Sequence, residues 1–105
     1  MIINLSKKVF FHDEEYEELN MDLEGLSCKD LLNAESSARM VDDEKFQLWG
    51  TRHIIDIIAL ACHVSVGVIY ELSAKDFMKM QLAVINFFSD IISTASTLDN
   101  SEVPF

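Results

Sequence analysis

Residues 72–92 read LSAKDFMKMQLAVINFFSDII, and this stretch decides the fold of the chain. Ser73 is placed to accept a hydrogen bond from a free backbone N–H of a first helical turn. Asp76, three residues on, can bond back and complement the positive end of the helix. Leu72 and Phe77 occupy the flanking positions of a hydrophobic staple. The pattern predicts one long helix that starts at a Ser73 cap.

The apolar face of this predicted helix is wider than one neighbouring element can cover. At 100° per residue it spans roughly 220°, and its members are Phe77, Met78, Met80, Leu82, Val84, Ile85, Phe87, Phe88, Ile91 and Ile92. A helix that lies on one neighbour needs only a little more than about 100°. Two apolar neighbours are therefore expected. Either both neighbours belong to the same domain, or one of them is a second protein chain. We favour the second hypothesis.

Five residues are candidates for binding such a partner. Four come from the second half of the wide helix: Phe87, Phe88, Ile91 and Ile92. The fifth is Trp49, since tryptophan is enriched at binding hot spots. A partly buried aromatic at the edge of the core is the simpler interpretation of Trp49.

Length and charge set the broad class of protein. The 105 residues fit one domain, predicted over residues 1–94, with a flexible polar tail at residues 95–105 where Pro104 discourages helix. The 18 acidic and 8 basic residues give a net charge of −10. This charge disfavours nucleic-acid phosphate and anionic membrane surfaces as partners.

Cysteine usage and hydropathy indicate a cytoplasmic protein. The two cysteines, Cys28 and Cys62, lie far apart without a CxxC spacing, so reduced thiols are expected rather than a disulfide framework. The chain opens without a charged segment followed by an apolar block, and no apolar run approaches the ~20 residues of a membrane span. We therefore expect a soluble, intracellular protein.

The first part of the chain predicts a β-hairpin and a helix. Residues 1–5 and 9–12 are apolar and extended in pattern, and residues 16–24 alternate apolar with polar, with an acidic turn at residues 13–15 between them. Gly25 ends this alternation. Residues 26–31, LSCKDL, repeat the start signal LSAKDF, so a second capped helix is predicted to about Met40.

The middle of the chain predicts the central helix of the domain. Residues 44–62 carry few polar positions after Ile54, which is typical of a helix that is surrounded by core. Residues 64–71 are ambiguous, but Ser65 can cap one or two helical turns, which we favour over a strand. The predicted class is therefore α+β, mostly α, with an N-terminal β-hairpin followed by three to four helices.

No catalytic, cofactor or metal site is predicted. Ser27 and Ser73 are explained as helix caps, and the histidines and cysteines match no zinc spacing. No nucleophile stands beside a base in any recognisable pattern, and the three glycines form no phosphate-binding loop. We expect a protein that is not an enzyme.

The order of these elements resembles a known family. The patterns LxxLxxxDLLxAE and LxxxDFxxhQxxVxxFF, with h apolar, stand in order within residues 2–92. The matching positions are Leu23, Leu26, Asp30, Leu31, Leu32, Ala34, Glu35, Ala59, Ala61, Val64, Val66, Leu72, Asp76, Phe77, Val84, Phe87 and Phe88. This arrangement resembles the small tail assembly chaperones of long-tailed phages and prophages. Where that family often has Asp-Gly at the hairpin tip, this chain has Asp13-Glu14.

The resemblance implies a non-catalytic function in virion assembly. Such a chaperone binds the long tape measure protein and other tail proteins. It keeps the tape measure protein soluble in the host cytoplasm while tube subunits polymerise around it. It is absent from the mature virion. Homo-oligomers are compatible with the wide apolar face, and a longer frameshifted form is common in the family. If that form occurs here, the two forms diverge after Thr94.

Two other classes of function stay open. One is a structural tail or head–tail joining protein that is retained in the virion. The other is a small acidic protein that adapts or inhibits a host factor. Mass spectrometry of purified particles distinguishes the first class from a chaperone. The identity of the neighbouring genes distinguishes the second class from a chaperone.

Overall fold

The chain folds into an N-terminal β-hairpin that is followed by helices. The computed structural model describes the backbone of residues 1–41, 43–44 and 46–98, and the side chains of these ranges as far as residue 91. Strands β1 (Ile2–Phe11) and β2 (Glu14–Asn20) pair antiparallel. Four helices follow in these residues: α1 (Cys28–Val41), α2 (Thr51–Cys62), α3 (Val66–Tyr70) and α4 (Ala74–Leu98). The predicted α+β class, mostly α, is confirmed.

The hairpin turn lies one residue earlier than predicted. Its two loop residues are His12 and Asp13, with φ of 49° and 65°. Positive φ at both positions is the requirement of the tight turn that matches the twist of a hairpin. Glu14 pairs with Phe11. Two of the three acidic residues predicted to form the loop, Glu14 and Glu15, therefore begin β2 instead.

Pairing in the hairpin ends before the alternating pattern does. β2 stops at Asn20, whereas the alternation predicted a strand to residue 24. Met21 and Leu23 are nevertheless buried. The backbone N–H of Asp22 donates to the carbonyl of Ala61 in α2 at 3.1 Å. The alternating pattern therefore covers both the paired strand and the residues after it that are buried, such as Met21 and Leu23.

Helix α1 begins with the reciprocal hydrogen bonds that its sequence predicts. The N–H of Asp30 donates to Oγ of Ser27 at 3.1 Å, and the N–H of Ser27 donates to Oδ2 of Asp30 at 2.9 Å. These bonds hold the pKa of the Asp30 carboxyl below its usual range.

The matching signal at α4 is used differently. The N–H of Asp76 donates to Oγ of Ser73 at 3.2 Å, as predicted. The Asp76 carboxylate does not accept from the backbone N–H of Ser73, in contrast to Asp30 at α1. It accepts from the N–H of Ser6 at 3.0 and 3.1 Å and from the N–H of Lys7 at 3.4 Å. Both donors lie where the β1–β2 register shifts, between Asn4 and Val9, so Asp76 satisfies strand groups that β2 leaves unpaired.

Helix α2 is shorter than predicted. It starts at Thr51 rather than at residue 44. Trp49 has a φ of 66°, a left-handed conformation that a right-handed helix excludes. The turn before it is closed by the N–H of Gly50, which donates to the carbonyl of Gln47 at 2.9 Å. The predicted central position is correct, because Ile54, Ile57 and Ile58 in α2 are fully buried.

A serine cap starts α3, and α4 runs past the residue at which the polar tail was predicted to begin. Ser65 caps the short α3 by accepting from the N–H of Gly67 at 3.1 Å, as predicted. Helix α4 continues to Leu98, so the predicted boundary between residues 94 and 95 falls inside the helix. Neither glycine nor proline occurs between Ser73 and Leu98 to end it. Residues 99–105 of the predicted tail lie outside the described residues.

Candidate protein-binding surface

Helix α4 divides its apolar side chains between two faces. Met80 and Val84 are fully buried in the core. Met78, Leu82 and Ile85 are 59%, 58% and 41% exposed. Their spacing of i, i+4 and i+7 aligns them in one row about 150° around the helix from the buried face. We call this row the α4 stripe. Within the described residues the domain covers one apolar side of α4 and leaves the stripe in solvent.

Three of the five predicted partner residues meet in an aromatic cluster. The ring of Phe88 lies 4.9 Å from that of Trp49 and 5.1 Å from that of Phe87, between centroids. All three residues are partly buried and pack against the core. The simpler interpretation of Trp49, an aromatic at the edge of the core, therefore matches its position. A role for these residues in partner binding stays a prediction.

The other two predicted residues lie further along α4. Ile91 is 51% exposed. The side chain of Ile92 lies outside the described residues. The wide apolar arc thus indicated surplus apolar surface. Its most exposed members among the described side chains are Met78 and Leu82, which lie nearer the start of the helix than the predicted partner residues.

A groove lies between the segment after β2 and the side of α4. It has a volume of about 510 Å³, and its walls are Met1, Met21, Asp22, Leu23, Glu24, Ala83, Asn86 and Phe87. Phe87 is the predicted partner residue that lines it. Sequence reasoning missed the groove because its two walls come from opposite ends of the chain, and no local pattern joins them.

A buried histidine fixes the start of α2 beside the aromatic cluster. The Nδ1 atom of His53 accepts from the N–H of Trp49 at 2.9 Å, and its ring lies 5.2 Å from the indole. This bond requires a proton-free Nδ1. Burial lowers the pKa of His53 from its usual 6.5. The neutral imidazole thus links Trp49, the residue before the Gly50 N-cap, to the first turn of α2, where Gly50 itself makes no side-chain cap bond.

The two cysteine thiols differ in environment. Burial raises the pKa of Cys62 to about 12, whereas Cys28 is exposed at the first position of α1. Thiolates are the reactive species, so one fast and one slow thiol are expected.

We expect the native protein to react with iodoacetamide at pH 8 mainly at Cys28, and at Cys62 only after unfolding in urea. Mass spectrometry of tryptic peptides at successive times measures both rates, and the Cys28→Ser variant isolates the slow site. Equal native rates at the two cysteines would contradict the burial of Cys62.

Metal-binding clusters and membrane-spanning helices are absent from the described residues. Among them, no three histidine, cysteine, aspartate or glutamate side chains group closely enough to hold a metal ion. No helix in the described part of the chain has both the length and the hydropathy to cross a membrane. The exposed apolar stripe of α4 and the adjoining groove form the candidate site.

Comparisons with known proteins add no assignment. The chain matches no protein-family model, no curated protein and no solved structure.

Proposed function

We propose that this protein is a non-catalytic tail assembly chaperone that binds a tape measure protein and keeps it soluble while a phage tail tube assembles. The observation that carries this proposal is the α4 stripe, where Met78, Leu82 and Ile85 expose large apolar side chains in one row. Contiguous exposed apolar surface on a small domain is typical of a protein-binding site. The family resemblance over residues 2–92 supplies the identity of the client.

The charge of the chain supports the same function. A chaperone that covers apolar client segments must keep the complex dispersed, and a net charge of −10 provides mutual repulsion between complexes. On α4, the stripe is flanked by Lys79, Gln81 and Ser89 rather than by carboxylates. An apolar client can therefore approach the stripe without burying an acidic group, which would be costly.

Co-expression with the neighbouring long tail gene tests the proposal. We expect the tape measure protein to be insoluble alone and soluble in a complex with this chain, and purified virions to lack the chain. A tape measure protein that gains no solubility and makes no complex would refute the proposed function. Detection of the chain in purified virions by mass spectrometry would favour a structural tail protein instead.

We expect Leu82→Asp to abolish client solubilisation while changing the free energy of unfolding by no more than about 1 kcal/mol, because the side chain is mostly in solvent. The soluble fraction of the co-expressed client and urea denaturation of the isolated chain measure the two effects. Ser36→Asp, at an exposed position of α1, adds the same charge without removing apolar surface and is expected to act as wild type. Full solubilisation by the Leu82 variant would contradict a role for the stripe.

A further inference from the structure

We infer that the groove beside Phe87 binds a large apolar side chain of a client segment that also carries lysine or arginine close to that side chain. This inference rests on the proposed function and adds the chemistry of the segment recognised. It concerns a surface distinct from the α4 stripe, since none of the three stripe residues lines the groove.

The floor of the groove is apolar and fits an inserted side chain. Met21 and Leu23 are buried on one wall. On the other wall Ala83 and Phe87 stand one helical turn apart and are both partly buried. Ala83 has the smallest side chain of the lining residues. A volume of about 510 Å³ leaves room for a bulky apolar group between these walls.

The rim of the groove favours a basic segment. Asp22 and Glu24 are exposed carboxylates on its edge. Asp22 is held in place because its Oδ1 accepts from the N–H of Gly25 at 3.1 Å. The amino group of Met1 also lies here, bonded to Asn20 and Met21, each at 3.3 Å. Two carboxylates outnumber one ammonium, and the chain as a whole is strongly acidic.

A protein segment fits the groove better than a small molecule does. Small-molecule sites fix their ligands with a few polar groups placed inside a mostly apolar pocket. Here the polar lining side chains, Asp22, Glu24 and Asn86, are all exposed. They can attract a charged side chain that stays near solvent, while the neighbouring apolar side chain of the same segment packs against the apolar floor. Such complementarity sets specificity and association rate in protein complexes.

Peptide binding tests the inference directly. The probes are two fluorescein-labelled helical peptides with the same central phenylalanine and leucine residues, one flanked by lysines and the other by glutamates. Fluorescence anisotropy with the full chain should give binding of the lysine peptide at least about tenfold tighter than that of the glutamate peptide at low salt, decreasing as salt is added.

Two variants locate that binding. Ala83→Leu fills the groove and should weaken the lysine peptide about tenfold or more. Glu24→Lys should weaken it several-fold at low salt and remove much of the salt dependence. The matched control Glu71→Lys makes the same charge change at an exposed position outside the groove lining and should have a smaller effect. Circular dichroism confirms that each variant is folded.

The outcomes separate this inference from the proposed function. Equal affinity for both peptides, or unchanged affinity in both groove variants, would overturn the inference even if wild type solubilises the tape measure protein. If wild type fails to solubilise that client but the peptides behave as expected, the groove chemistry stands and the proposed client is wrong. If the Ala83→Leu variant is unfolded, the affinity of the Glu24→Lys variant for the lysine peptide decides whether the inference holds.

Discussion

Replacing Ile58 by alanine is expected to lower the free energy of unfolding by about 2–5 kcal/mol, because the change removes a fully buried side chain and leaves a cavity. Ile58 is 0% exposed, and it lies in α2 among core residues from the hairpin, α3 and α4. Domains of this kind are stable by about 5–15 kcal/mol, so the loss is a large share of the total. Urea denaturation followed by Trp49 fluorescence measures it.

Ile55→Ala is the matched control for this prediction. It makes the same substitution in the same helix, but Ile55 is only partly buried. A clearly smaller loss of stability is expected there. A loss at Ile58 no greater than that at Ile55 would contradict the central position assigned to α2.

Replacing Asp76 by alanine is expected to cost about 2–4 kcal/mol, since hydrogen bonds to a charged group are lost and backbone donors remain unpaired. The carboxylate is fully buried and accepts from the N–H groups of Ser6 and Lys7. It is the polar link between the irregular part of β1 and the start of α4. Chemical denaturation measures the loss, and hydrogen exchange should show faster exchange at Ser6 and Lys7 than at paired strand positions.

Asp30→Ala is the natural control, because Asp30 occupies the same position of the same LSxKD signal. Among the described residues, its carboxylate accepts only from the N–H of Ser27, within its own helix start. We expect a clearly smaller loss of stability, with no change in hydrogen exchange in β1. Equal effects of the two substitutions would show that Asp76 acts only as a local cap.

The Asp76 link also makes stability depend on pH in a defined direction. Burial alone would raise the pKa of this carboxyl, but the hydrogen bonds from Ser6, Ser73 and Lys7 outweigh it and hold the pKa below the ordinary value of 3.8. The charged form is therefore favoured by folding, so its contribution is complete above pH 3.8 and is lost as the pH falls through the lowered pKa. The stability difference between wild type and Asp76→Ala should shrink over that range.

The binding surfaces depend on this scaffold, but neither Ile58 nor Asp76 belongs to the α4 stripe or lines the groove. Variants of Ile58 and Asp76 should affect client binding only through the folded fraction, whereas Leu82→Asp should remove client binding from a folded chain. Measuring both stability and client solubility for each variant therefore distinguishes scaffold from surface. The α4 stripe and the groove can be varied separately for the same reason.

Local signals in the sequence determined much of the architecture. The LSCKD and LSAKD signals marked the starts of α1 and α4, and Ser65 marked α3, because helix capping involves atoms only a few residues apart. Alternation gave the hairpin, and the dense apolar run after Ile54 gave the central helix. The width of the apolar arc on α4 also indicated that a single neighbouring element could not cover it.

Tertiary structure decided the features that join distant parts of the chain. Sequence could not show that Asp76 bonds to β1 while Asp30 bonds to its own cap, because the two signals are locally alike. It could not place the start of α2 after a left-handed Trp49, since that turn depends on the buried His53. Nor could it show that Phe87 and Phe88 pack inward while the α4 stripe stays in solvent. A periodic pattern gives the width of an apolar face, but only the packed neighbours determine which part of that face they cover.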